Sequence, residues 1–256
     1  MRSIRKTWPF FAAVATLLAL LQIGYWMNPI LFPSIPSVFE RLGRSLGDER
    51  FWQSLGTSMY RLFIGYPIAC VVAGFLGLIA GLYRGFALYM RRLIAILQSI
   101  PPIAWLPFLM IIFGFGDVPV ILIVIYASFF PMALSVMNGA EGVVRTHIEV
   151  AKVLGANKAQ LLRRVYLPET FPSFITGAQV AFGNAWRSLV AGEMVGSVMV
   201  GLGFASKFAG DVADMEGVIM YIIVIGVIAT ILDQVLLEKL KRKLLRWRYA
   251  GGGEER

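Results

Sequence analysis

Two residues in the chain stand out because their chemistry does not suit their surroundings. Arg187 and Glu193 lie in an otherwise apolar stretch, residues 171–198, with Asn184, Trp186 and Ser188 nearby. A charge at the centre of a membrane helix costs about 2.5–3.5 kcal/mol on insertion scales, so it turns toward protein or a water path. Six residues advance a helix by roughly 9 Å and 240°, so these two cannot pair along one helix. Two chemistries fit. Arg187 could be a cationic station for an anion on its way through, or both charges could belong to buried ion pairs that lock helices together.

A second polar interruption is Gln98, Ser99, Pro101 and Pro102, followed by Trp105 and Pro107, within residues 92–113. Two adjacent prolines remove two backbone donors and open the preceding turn. Free carbonyls in hydrocarbon are tolerated only beside protein or a water-filled cavity. This break either shapes packing or touches a solute. Enzymatic chemistry finds no footing. The single histidine, His147, has no second ligand at metal spacing and reads as a solvated or capping residue. Cys70, the single cysteine, sits in an apolar run and reads as packing. No Ser/His/Asp or Cys/His set can be assembled, and no GxxxxGK[ST] phosphate loop is present.

The elements that must position these residues are helices in lipid. Of 256 residues 58% are hydrophobic and only 15% charged, with a mean hydropathy of +0.72, where a soluble domain carries roughly 25% charged residues. Six segments are long and apolar enough to span: 8–27, 60–83, 92–113, 118–137, 171–198 and 217–237. The first follows a basic start and resembles a secretory signal, but it runs too long and ends in Tyr25 and Trp26, so it is read as a retained helix. The fold expected is all-α, an integral membrane domain of about six helices over residues 1–256, without repeats or a soluble domain.

The net charge of +9 is distributed as topology rather than as a nucleic-acid surface. Eighteen Lys and Arg fall in segments 1–7, 84–92, 138–170 and 239–256, against four (Arg41, Arg44, Arg50 and Lys207) in the alternate segments 28–59, 114–117 and 199–216. Arg61 and Arg187 lie within spans. This asymmetry predicts that both termini and the 138–170 loop are cytoplasmic. On the other side, Pro29, Pro33 and Pro36 break the first helix. Ser37 with Glu40 reads there as a capping box for a short interfacial helix presenting Val38, Phe39, Leu42 and Leu46. Asp233 and Glu238 are expected to meet the basic tail, Lys239 to Arg248, which itself suits anionic headgroups.

The 138–170 loop has the plainest local grammar. Thr146 and Glu149 form a capping box that would start a short helix. Gly155 can take the left-handed conformation that ends it. Asn157 with Gln160 caps a second helix, which Leu167-Pro168 would stop. Ala159, Leu161, Leu162 and Val165 are then available for burial, either against a partner protein or against the chain's own bundle and lipid.

Glu149-Val150-Ala151, Gly155 and Val165-Tyr166-Leu167-Pro168 resemble, gap for gap, the EAA loop of ABC importer permeases; Val150 and Val165 are its mild departures. Leu31-Phe32-Pro33-Ser34, Ser99-Ile100-Pro101-Pro102-Ile103-Ala104-Trp105-Leu106-Pro107 with Gly114-Phe115-Gly116, and Ala191-Gly192-Glu193-Met194 before Gly201-Leu202-Gly203 resemble the nitrate, sulfonate, taurine and bicarbonate branch. The resemblance implies a type I permease fold, a small imported solute, and a bacterial inner-membrane location. It implies two cytoplasmic ATPases holding ATP and Mg, a second permease copy (commonly identical), an extracytoplasmic solute-binding protein and lipid, with no cofactor on this chain. Coupling would fall to Glu149, Ala151, Leu154, Gly155, Ala156, Asn157, Lys158, Ala159, Gln160, Leu161 and Leu162. In this reading Gly155 is the elbow and Glu149 an anchor, and Ala156 to Leu162 make most of the contact. Gln98, Pro101, Trp105, Asn184, Arg187 and Glu193 are the pathway candidates. Because such importers often leave recognition to the binding protein, the ion-pair reading of the charges is preferred. An ion-gradient-driven secondary transporter is the rival; it would usually show two related halves, and none is found.

Overall fold

A computed structural model describes residues 16, 19–29, 31–196 and 199–244. All regular structure among them is helical. Half of the expected first span lies outside the described residues; helix α1 covers residues 19–27. There follow α2 (Ile35–Leu46), α3 (Glu49–Leu82), α4 (Arg84–Gln98), a 3-10 turn (Pro102–Trp105), α5 (Leu106–Phe113) and α6 (Asp117–Glu141). The loop carries α7 (Arg145–Val153) and α8 (Lys158–Leu161), and a π turn (Leu162–Tyr166) leads into α9 (Leu167–Val195). After α10 (Leu202–Asp211) the chain closes with α11 (Met215–Thr230), a second π turn (Ile231–Leu237) and α12 (Glu238–Leu244).

The second span begins earlier than expected, because Asp48 caps α3 by accepting from the Arg50 amide. Residues 49–59, assigned above to an external segment, are its first turns. At 34 residues the helix is roughly 50 Å long. The preceding α2 is capped by Ser34, which accepts from the Ser37 amide, and not by the expected Ser37–Glu40 box. Val38 is buried on it and Leu42 packs against the core, while Phe39 and Leu46 stay exposed. Helix α10 falls in a segment where no helix was foreseen.

Helices α3, α6 and α9 form the centre, with α6 between the other two. Glycine lets them close up: a Cβ on Gly77 would sit 2.6 Å from the Ala133 carbonyl oxygen. Gly65 meets Val124 and Gly77 meets Ala133, so α3 and α6 run parallel, whereas Gly177 meets Ser135 and Gly139 meets Ser173, so α9 runs opposite to α6. Leu62, Val124, Leu189, Leu202 and Met220 fill one end of the core; Ala73, Ile94, Met132 and Met137 fill the other. Cys70 is a free, buried thiol in that second cluster, in keeping with a packing role.

By length and apolar content α3, α6 and Met215–Gln234 can each cross a membrane. Helix α4 and the Pro102–Phe113 segment qualify as a fourth only as a pair, bent by 81°. The bend has a local cause. Pro101 cannot donate to the Leu97 carbonyl four residues back, and the Tyr126 hydroxyl donates to that oxygen instead at 2.7 Å. Helix α9 is long enough at 29 residues, but Gln179, Asn184 and Arg187 dilute its apolar content.

Candidate functional site

The Asn157 cap is as the sequence foretold: its side chain accepts from the Gln160 amide, and Gln160 returns a bond to the Asn157 amide, each at 2.9 Å. Gly155 has φ +79°. Its amide donates to the Lys152 carbonyl at 2.9 Å, and that of Ala156 to Ala151 at 3.0 Å. Those two bonds define a Schellman ending, in which a left-handed residue closes α7 and turns the chain. The elbow is real, and only a residue that tolerates positive φ suits it.

Three details differ from expectation. Helix α7 starts at Arg145 behind Val144, without a Thr146–Glu149 box. Glu149 is exposed and makes no hydrogen bond or ion pair among the described residues, so it does not anchor the loop within the chain. That part falls to Glu169: one carboxylate oxygen lies 2.6 Å from His147 Nδ1 and the other accepts from the Val144 amide at 3.3 Å. His147 is therefore held, not merely solvated. Nor does Leu167-Pro168 stop the second helix. The wider π turn accommodates the missing Pro168 donor, with the Leu167 amide donating to the Leu162 carbonyl, and the backbone runs on into α9. One continuous helical rod thus joins the elbow to Arg187.

Much of the loop's apolar surface has no cover among the described residues. Val153 and Leu154 are 87% and 80% exposed, with Val150 and Ala159 exposed beside them, while Leu161, Leu162 and Val165 are half-buried. Val153 was not among the residues picked from sequence; it lies one step before a recognised one. Ala151 and Ala156 are half-buried at the elbow, and Lys158 is exposed.

Of the pathway candidates, the structure brings Gln98, Asn184 and Arg187 to one cavity of about 220 Å³. Tyr126, Pro131 and Ser188 also line it, where the α4–α5 break meets α6 and α9. Arg187 Nη2 donates to Asn184 Oδ1 at 3.2 Å and has no carboxylate partner among the described residues. Trp105 lines a separate apolar groove with Phe108 and Phe129. Pro101 is exposed and leads into the 3-10 turn.

Glu193 does not line the Arg187 cavity with the other pathway candidates; it is 0% exposed and belongs to a buried ion pair, the reading preferred from the sequence. Its Oε1 meets Arg61 Nη1 at 2.6 Å, Ser58 Oγ lies 2.9 Å from both oxygens, and the Gly203 amide donates to Oε2 at 2.9 Å. Arg61, its side chain only 3% exposed, also reaches Asp117 at 2.7 Å and the Val200 carbonyl at 2.9 Å. Burial of two charges is tolerable here because every arm is paired and hydrogen-bonded. Gly201 is forced by the same geometry, with φ +148° and a would-be Cβ 2.5 Å from Glu193 Cδ. Sequence reasoning missed Ser58 and the role of Arg61. The signal was there, since one buried cation and one buried anion in different spans require each other. Asp233, expected to meet the basic tail directly, accepts from Gln179 at 3.3 Å, and Gln179 in turn accepts from Lys241 at 3.3 Å. The side chain of Glu238 lies outside the described residues. Among the described residues no cluster of His, Cys, Asp or Glu could hold a metal.

A bundle of helices apolar enough to cross a membrane, with a broken helix and an exposed helical elbow at one end, is the architecture of a membrane-embedded subunit. The chain belongs to the family described as binding-protein-dependent transport system inner membrane component, whose pattern matches residues 73–243. It is 34% identical over 240 residues to a putative ABC transporter permease of Methanocaldococcus jannaschii, covering 92% of this chain and 90% of that one. It is 31% identical to the taurine transport system permease TauC of Escherichia coli K12, covering 96% and 94%. Inward-facing MetNI methionine ABC transporter structures share the fold, one with a TM-score of 0.58 and 22% identity over 75% of this chain and 93% of theirs. The chain is a permease subunit of a type I ABC importer.

Proposed function

We propose that this permease imports a small anion, a sulfonate, taurine-like or bicarbonate-like solute, and that Arg187 is its station in the membrane. The observation that carries the reading is a guanidinium within a helix of the bundle, facing a polar cavity with no carboxylate partner among the described residues. Arg187 is exposed to that cavity, and a cation at membrane depth without a counter-charge is costly unless something anionic visits it. At about 220 Å³ the cavity is below the roughly 300–1,000 Å³ of drug-sized sites and suits a solute of few atoms. Relatives named for transport of taurine, aliphatic sulfonates and bicarbonate support the same class.

In this reading the 142–166 loop and both termini are cytoplasmic, two copies of the chain pair, and each receives an ATPase on Val153, Leu154 and the Ala156–Leu162 segment. ATP and Mg sit on the ATPases, and this chain, without a phosphate loop, hydrolyses nothing. Movement at the elbow is transmitted along the α8–α9 rod to Arg187, and a solute-binding protein delivers at the opposite end. The test is uptake of labelled taurine and alkanesulfonate into proteoliposomes containing the assembled complex and its binding protein. Arg187→Gln should lower the rate at least tenfold while Arg187→Lys retains much of it. Equal rates for all three forms would sink the assignment.

A further inference from the structure

We propose that a cavity at the loop-side ends of α3, α4 and α6 holds the phosphate of an anionic phospholipid. The cavity, about 430 Å³, is lined by Arg84, Arg91 and Arg145 against a single acid, Glu141. Arg91 is committed: its Nη2 meets Glu141 Oε2 at 2.7 Å and Asn138 Oδ1 at 2.6 Å. The guanidinium groups of Arg84 and Arg145 have no hydrogen-bond or ion-pair partner among the described residues. Two free cations therefore remain at one concave site, enough to bind a phosphodiester from two directions by charge-assisted hydrogen bonds.

The level of the site points to a lipid as the source. The long apolar helices α3 and α6 end at Leu82 and Glu141, and α4 begins at Arg84, so the cavity marks the edge of the hydrocarbon. Tyr83 and Tyr89, both exposed, flank it as interfacial aromatics do. Part of its wall is apolar, formed by Leu82, Leu88 and Ile148. Leu88 and, further along α4, Ile96 are exposed, providing a track for an acyl chain beside the headgroup. A free phosphate ion would have no use for that wall. Basic pockets at helix ends are where anionic headgroups settle.

The site lies at the start of α7, whose position sets the elbow, so a lipid held there would tie the loop to the membrane surface. The test uses the complete complex, purified with its ATPase, in nanodiscs of phosphatidylcholine with graded phosphatidylglycerol. Retained lipid is counted by native mass spectrometry. Wild type should retain phosphatidylglycerol in preference to phosphatidylcholine. Arg84→Gln/Arg145→Gln should bind it roughly 30-fold more weakly, at about a fivefold effect for each arginine. Arg84→Lys/Arg145→Lys should restore most of the retention, and Arg163→Gln/Arg164→Gln, outside the cavity, should leave it unchanged. The proposal fails if the double Gln variant retains phosphatidylglycerol like wild type, or if phosphatidylcholine is held equally. Displacement of the lipid by excess inorganic phosphate alone would overturn the lipid assignment in favour of a soluble anion.

Discussion

Replacing Glu193 by alanine removes the centre of the buried network and leaves Arg61, Ser58 and the Gly203 amide without their shared acceptor. Breaking a buried pair by deleting one partner costs about 3–5 kcal/mol. Arg61 keeps Asp117 and the Val200 carbonyl, so the lower end applies, about 3 kcal/mol. With both side chains almost wholly enclosed, solvent screening gives no reason to discount this further. For a chain of this size the loss corresponds to a fall in Tm of roughly 6–12 °C. The molecule carries its own reporter. Cys70 is the single cysteine and is buried on α3, so a fluorogenic thiol reagent in detergent follows the opening of the helix that bears Arg61. The companion variant Arg61→Leu/Glu193→Leu removes both charges and should regain most of the loss, because replacing a buried ion pair by apolar side chains is often neutral. The reasoning is refuted if Glu193→Ala melts within about 1 °C of wild type, or if the double variant is less stable than either single change.

Other outcomes follow from the same geometry. Gly201→Ala should destabilise at least as much as Glu193→Ala by the same thiol assay, since both its φ and the nearby carboxylate exclude a Cβ. Asn157→Ala should cost about 1 kcal/mol locally, seen as about fivefold faster amide exchange in α8 with an unchanged Tm. His147→Ala should loosen α7 from Glu169, raising its amide exchange and lowering the ratio of transport to ATP hydrolysis. Gly155→Asn should keep transport, because asparagine visits the left-handed region, whereas Gly155→Val should abolish coupling.

The sequence revealed more of the loop than of the helix bundle. The elbow depends on local rules: a glycine at a helix end, and an Asn followed three residues later by Gln. Such rules act over a few residues and can be read without knowing what lies across the bundle. The spans were legible as apolar runs, but their ends were not. Behind its Asp48 cap α3 starts at Glu49, eleven residues before the apolar run at 60, and Pro168 sits inside a continuous rod because a π turn absorbs its missing donor. Glu149 drew attention through its place in a familiar pattern, yet Glu169, twenty residues on, anchors the loop. Helix geometry already excluded Arg187 as the partner of Glu193 along one helix, but it did not name another. The true partner of Glu193 is Arg61, 132 positions away. Pairing across a bundle is a tertiary fact, and sequence supplies only the requirement that some partner exist.

The central claim is that the uncovered loop drives this permease by receiving an ATPase. The direct measurement is ATP hydrolysis by protein purified from its native membrane in mild detergent, comparing wild type with Val153→Asp/Leu154→Asp. Both residues are exposed, so the thiol-monitored Tm should not move. Wild type should carry an ATPase whose activity is lost from the variant preparation. A variant of unchanged Tm that retains the full ATPase activity, or a well-folded wild type that carries none, would contradict the account.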